Sequence, residues 1–415
     1  MKFFNVKTVA ETLDVIANHF HPIAKPVEIP LTEALDMVLS EDIVAGEQVP
    51  HFDRSTVDGF AVRARDTYGA SDSLPAFLTV TGKIEMGKEA SQALKEGQAQ
   101  GIPTGGMLPE GADSIVMIEH VEEVDDLLNV YRQVAPGENI IRAGDDVNKG
   151  DLVMAAGQRL RPQDLGVLSA IGITTVCVYP RPVVAILSTG DEIVSPDKKE
   201  LAPGEVRDIN SITIGAAASQ CGAEVIYGGI VADDYEAFAA KANELFKQAD
   251  LLLLSGGSSV GTRDYTEQVM QSLGNPGVLV HGVAIKPGKP TIVAKAGEKP
   301  VMGLPGHPAS ALIIFHMFVV PLLQKLQGQA PAQFDQRIRA RISRNIPSAV
   351  GRSDYIRVKL EERVDGLWAV PVFGKSGLIS TLVRSDGMVE IEANKEGIIE
   401  GDMVQVHLFQ WWIFK

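Results

Sequence analysis

The stretch that most constrains the fold is residues 251–266, LLLLSGGSSVGTRDYT. Four consecutive leucines leave no polar face, which suits a strand covered by helices on both sides of a parallel sheet. The run passes straight into Ser-Gly-Gly-Ser-Ser, and open α/β sheets take ligands just beyond the carboxyl ends of such strands. The segment from Arg181 onward has the matching rhythm. PVVAILS, AEVIYGGIV, ADLLLLS and PVMGLPG read as strands, with helical periodicity near 209–221, 234–247, 264–273 and 308–326. Strand alternating with helix predicts a doubly wound parallel sheet over residues 181–327. Asp233 stands before one of its helices and Pro308 suits the first turn of another.

The flanking text differs in kind. In residues 7–20, Val9, Leu13, Ile16 and Phe20 share one helical face, and Thr8 with Glu11 has capping-box spacing. LTEALDMVLSEDI (31–43) repeats the helical pattern, and RPQDLGVLSAIG (161–172) resumes it ahead of a short strand. Between them, AFLTVTG, SIVMIEHVEEV and LLNVYRQV are short alternating runs split by glycine and proline. The expectation is a discontinuous N-terminal helical domain, 1–45 with 147–180, interrupted by a mainly β inserted domain, 46–146. Residues 328–415 carry four strand-like runs and read as a small C-terminal β-barrel-like domain that ends near Trp411 and Trp412, a packed edge or an interface patch. The fold class is therefore multidomain α/β plus β.

Charge excludes some functions. A formal net charge of -15 argues against nucleic-acid or anionic-membrane binding, while a small anion remains admissible where positive charge is local. The two cysteines, Cys177 and Cys221, show no zinc-type spacing with histidines and read as buried thiols in a reducing compartment. The start has no signal-like apolar core, and the apolar run 309–323, broken by Ser310, His316 and Pro321, reads as a buried helix. A cytoplasmic location is expected.

Three strand ends lead into loops of unusual composition: STGDE (188–192), SGGSSVGTRD (255–264) and LPGHPAS (304–310). Glycine lets a ligand approach the backbone, and amides at the following helix starts suit phosphate. That makes Ser255, Gly256, Gly257 and Pro308 candidate substrate-binding positions. Neither a Walker-type P-loop nor a dinucleotide fingerprint is present. Asp191, Glu192, Asp233 and Asp264 fall at or near strand ends on one expected edge; they read either as helix caps and solvated charges or as ligands sharing Mg²⁺. In AIKPGKPT (284–291), Lys286 and Lys289 read either as a solvated turn or as a receptor for a divalent oxyanion. PHFDRSTVDGFAVRA (50–64) supplies a polar turn with Asp53, Ser55 and Asp58. No serine triad or activated cysteine stands out, so the chemistry implied is positioning and electrostatics around phosphate.

FDRSTVDGFAV, IPTGGMLPEGADSIVMIE, STGDE, SGGSSVGTRDYT, AIKPGKP and GLPGHP occur in this order, followed by GRSDYIRV and GKSGLISTL. In these motifs the whole chain resembles the molybdopterin molybdenumtransferases, enzymes similar to the E domain of gephyrin. The resemblance implies molybdenum insertion from molybdate into adenylylated molybdopterin, with Mg²⁺-dependent release of AMP. It also implies a homodimer whose active site is shared between subunits. Asp58 and Thr104 would come from the inserted domain, and Glu192, Asp233 and Asp264 from the α/β domain, the last three as metal ligands. Lys286 and Lys289, with Pro305, Ser310 and Arg352 near them, would hold molybdate or phosphate oxygens. A molybdopterin adenylyltransferase is an expected partner; the alternative activities are adenylyl transfer itself and a non-catalytic pterin-binding scaffold. Three positions depart from the usual pattern: His307 where asparagine is commoner, Ser258 for valine and Phe60 for tyrosine.

Overall fold

The computed structural model describes residues 6–22, 25–90, 92–256, 265–330 and 337–409. At its centre is a six-stranded sheet in the spatial order Glu224–Val231, Val183–Thr189, Leu251–Ser255, Lys299–Leu304, Ile292–Ala296, Pro276–His281. The first four strands are mutually parallel and the last two pairings are antiparallel, Ile292–Ala296 alone running against the rest, so one edge departs from the all-parallel expectation. All five residues of Leu251–Ser255 are buried, as its unbroken apolar run requires. Helices cover both faces. Asn210–Gln220 and Pro308–Leu326 pack with Val184, Ile186, Leu251 and Leu253; Tyr235–Gln248 and Thr266–Ser272 pack with Ala185, Leu187, Leu252 and Leu254. Pro308–Leu326 is long and apolar enough to cross a membrane, but Ile313, Phe315, Phe318 and Leu322 spend that apolarity in the α/β core. A π turn, Phe315–Val319, interrupts it.

The first helix, Val9–His19, begins with the expected capping box: Glu11 N donates to Thr8 Oγ1 at 3.2 Å and Thr8 N donates to Glu11 Oε2 at 2.7 Å. Its buried face, Ile16 with Phe20 just beyond, joins the α/β core and not the N-terminal block. That block is built by two chain segments, with Ala34, Met37, Leu39 and Ile43 packed against Met154, Leu160, Leu168 and Val178.

Residues 31–43 are not helical. Only the 3₁₀ turn Leu31–Glu33 forms; Asp36 has φ +63°, and Val38–Leu39 pairs antiparallel with Val178 and Tyr179. A residue in the left-handed region ends a right-handed helix, and the long-range strand partner outweighs local propensity. The inserted domain is a six-stranded sheet with its own apolar core around Phe60, Val62, Leu78, Val116 and Leu128. In the C-terminal domain, Ser353–Arg363, Gly366–Pro371, Ile338–Ile342, Met403–Leu408 and Gly387–Ile391 close into a five-stranded barrel, since the last pairs back to the first. The barrel is tied to the α/β domain by the short strand Ile285–Lys286, which pairs in parallel with Ser353 and Asp354. Trp411 and Trp412 lie outside the described residues.

Candidate active site

Three strand ends meet at one edge of the sheet. Ser188 pairs with Ser255 and Ser255 with Leu304, so the loops after these strands leave side by side. Glycine is required where they touch. Gly256 has φ +107°, and a Cβ there would sit 2.0 Å from the Thr189 carbonyl oxygen. A Cβ on Gly306 would in turn lie 3.7 Å from Gly256 Cα. Between the loops is a cavity of about 430 Å³. Thr189 and Glu192, Ser255 and Gly256, and Pro305 with Pro308 line it from the three loops in turn.

Asn210, the first residue of its helix, ties two of the loops together. Its Nδ2 donates to Ser255 Oγ at 2.7 Å and to the Gly306 carbonyl at 2.9 Å. Asn210 Oδ1 and Ser188 Oγ are buried without a partner among the described residues. Asp208, also lining the cavity and nearly buried, accepts from the Ser211 amide through Oδ1 at 3.1 Å. The C-terminal domain also contributes Gly377 to the lining. Next to it, Ser376 Oγ lies 3.2 Å from His307 Nδ1, and the Ser376 carbonyl accepts from the Ala309 amide. Ser310 is buried in the first turn of its helix, with Pro308 at the first helical position.

The acidic residues divide into different tasks. Asp234, not Asp233, caps the helix Tyr235–Gln248, accepting from Ala237 N at 2.9 Å. That leaves Asp233 free to accept from Thr189 Oγ1 at 2.9 Å, while its amide donates to Asp191 Oδ1 at 3.0 Å. Asp233 thus sits one hydrogen bond from a cavity-lining residue, and exposed Glu192 lines the cavity directly. Asp264 and Gly257 lie outside the described residues. Among the described residues no group of three or more His, Cys, Asp or Glu side chains is arranged to hold a metal. The donor chemistry nevertheless fits Mg²⁺. All the candidate donors are carboxylate oxygens, and Mg²⁺ is commonly held by one or two carboxylates with phosphate oxygens and water completing its shell.

Arg207 lines the cavity, which also reaches the Lys286–Lys289 turn at Pro290. The turn is pinned: Gly288 has φ +113°, its Cβ position falls 2.4 Å from Ile314 Cδ1, and its carbonyl accepts from Thr291 Oγ1 at 2.7 Å. Lys286 Nζ lies 3.6 Å from Asp354 Oδ2, and Arg352 Nε donates to Asp354 Oδ1 at 3.0 Å. Lys289 is exposed and has no ion pair among the described residues. In the inserted domain, Asp58 Oδ1 accepts from Thr104 N at 2.8 Å and from Thr104 Oγ1 at 3.1 Å. Both residues are exposed, and neither lines the cavity. Burial pushes the Cys221 thiol up, which agrees with an unreactive cysteine.

Known proteins with this arrangement are similar along the whole chain. Residues 7–172 match the MoeA N-terminal region (domain I and II), 185–325 the "Probable molybdopterin binding domain", and 339–409 the MoeA C-terminal region (domain IV). A molybdopterin molybdenumtransferase of Haemophilus influenzae is 36% identical over 91% of this chain and 93% of its own length. The chain belongs to the molybdopterin molybdenumtransferase family. A second relative of that name, from Bacillus subtilis, is 32% identical over 94% of this chain and 92% of its own. The crystal structure of the molybdopterin biosynthesis moeA protein from Pyrococcus horikoshii OT3 superposes with a TM-score of 0.85 at 32% identity, covering 97% of this chain and 100% of that one.

In this family member Ser188, Asp208, Asn210, Asp354 and Ser376 are further polar residues of the region that local sequence did not mark as functional. Asp208 and Asn210 had a signal, since VRDINS places two polar side chains at the start of a helix. Asp354 had none; only its strand pairing brings it to Lys286.

Proposed function

We propose that this molybdenumtransferase inserts molybdenum from molybdate into adenylylated molybdopterin, with Mg²⁺-dependent release of AMP, as a cytoplasmic homodimer supplied by a molybdopterin adenylyltransferase. The observation that carries the reading is the cavity where three glycine-bearing strand ends converge, lined by Glu192, with Asp233 one hydrogen bond from its wall and the Lys286–Lys289 turn reaching it at Pro290. Amides at the Gly256 and His307 positions would suit pyrophosphate oxygens. Lys286 and Arg352, with Lys289 on the same turn, suit the four oxygens of a tetrahedral dianion. Glu192 and Asp233, with Asp264 as the further ligand expected from sequence, would hold Mg²⁺. When bound, that ion supplies charge neutralisation at the phosphates. Asp58 and Thr104 stand outside this chain's own cavity, which is consistent with their serving the site of a second copy.

The test supplies adenylylated molybdopterin, molybdate and Mg²⁺, and measures AMP together with active cofactor. The expected outcome is AMP and cofactor in step, both stopped by chelating the Mg²⁺. Formation of adenylylated molybdopterin from ATP, with no AMP release from it, would assign the chain to adenylyl transfer instead.

A further inference from the structure

Lys286 and Arg352 are joined by a third residue. Asp354 is 1% exposed, and burying a carboxylate is costly unless it is paired. Here each oxygen has one cation: Oδ1 takes Arg352 Nε at 3.0 Å and Oδ2 faces Lys286 Nζ at 3.6 Å. The cations come from different domains. Lys286 belongs to the α/β domain and lies opposite Asp354 in the parallel pairing, while Arg352 immediately precedes the barrel strand that carries Asp354.

The pairing leaves both heads available. Arg352 engages Asp354 through Nε alone, and among the described residues its Nη1 and Nη2 have no acceptor. Those two nitrogens form the fork that matches a pair of oxyanion oxygens. The Lys286 side chain is 59% exposed and that of Arg352 42%, so each is anchored at one point and open elsewhere. Lys289 lacks such an anchor.

We infer that Asp354 is a positioning residue, holding Lys286 and Arg352 as one receptor for a tetrahedral dianion; this rests on the proposed use of molybdate. Without it the two like charges part and each long side chain regains its freedom in water.

Position and charge predict opposite signs, which makes the test decisive. Asp354→Asn removes a negative charge beside the receptor, so charge alone would tighten anion binding, whereas loss of position weakens it. Molybdate binding to the full-length protein is measured by calorimetry at fixed ionic strength, alongside the molybdate concentration that half-saturates AMP release. The expected result for Asp354→Asn is about a tenfold rise in both, with kcat kept within about twofold and Asp354→Glu recovering most of the affinity. Equal or tighter binding by Asp354→Asn would overturn the inference, whatever happens to its melting temperature. Should that variant not fold, Lys286→Met, Arg352→Gln and the double variant decide: losses well short of additive support a single receptor, and additive losses overturn it. Wild-type protein that binds molybdate yet releases no AMP would sink the proposed function and leave the receptor standing. Wild-type protein that binds no molybdate would sink both.

Discussion

Asp233 and Asp234 show how little a residue's type says about its task. They are adjacent and chemically identical, yet Asp234 caps a helix and Asp233 accepts from Thr189 Oγ1 at the cavity wall. Asp234→Ala should therefore cost about 1 kcal/mol of stability and leave AMP release nearly intact. Asp233→Ala should do the reverse, removing AMP release with a stability change below ~0.5 kcal/mol; thermal melts and the AMP assay on both variants check the pair. Gly256 is constrained twice over, by φ +107° and by the Thr189 carbonyl 2.0 Å from where a Cβ would stand. Gly256→Ala should destabilise by roughly 2–3 kcal/mol and spread the loops apart, read as a lowered melting temperature with lost AMP release.

Among the elements, those with a strong period of their own were legible and those dependent on a distant partner were not. The helix Val9–His19, with its Thr8–Glu11 box, and the strand Leu251–Ser255 follow directly from local pattern. Residues 31–43 carry an equally helical pattern, but Val38–Leu39 is recruited by Thr175–Tyr179, about 140 residues away along the chain. Where the first helix docks was also invisible, because an apolar face does not name its partner. Phe20 is fully buried in the α/β core, so Phe20→Ala should cost about 3–5 kcal/mol, measured by denaturant unfolding. A loss under ~1 kcal/mol would mean that the helix is not anchored there.

For the whole molecule, burial creates a pH dependence remote from the active site. His316, in the π turn and stacked near Phe409, is pushed down to about 4 by burial. Its unfolded form titrates near ~6.5, so the unfolded chain binds the extra proton first as pH falls. This contribution is complete above about pH 6.5 and shrinks as pH drops to about 4, by up to roughly 3 kcal/mol. His316→Phe, which keeps a ring against Phe315 and Phe409, should flatten that part of the stability curve in urea titrations between pH 7 and 4. The proposed sharing of the site between two subunits makes a second prediction at this scale. Asp58→Ala and Glu192→Ala should each abolish AMP release alone, whereas co-refolded mixtures should regain activity, since a mixed dimer would carry one intact site. A mixture as inactive as its components would place both residues in one subunit's site.

Taken alone, the sequence determined the strand–helix alternation, the glycine loops, the capping box and the supply of carboxylates and lysines, because each depends on neighbours within a few turns of chain. The tertiary structure alone decided which carboxylate caps and which bonds to the cavity wall. It also decided that Lys286 shares Asp354 with Arg352, and that the first helix belongs to the α/β core. The reason is physical: burial, ion pairing and strand pairing bring together groups tens to hundreds of residues apart, and a local pattern carries no record of which distant surface will meet it.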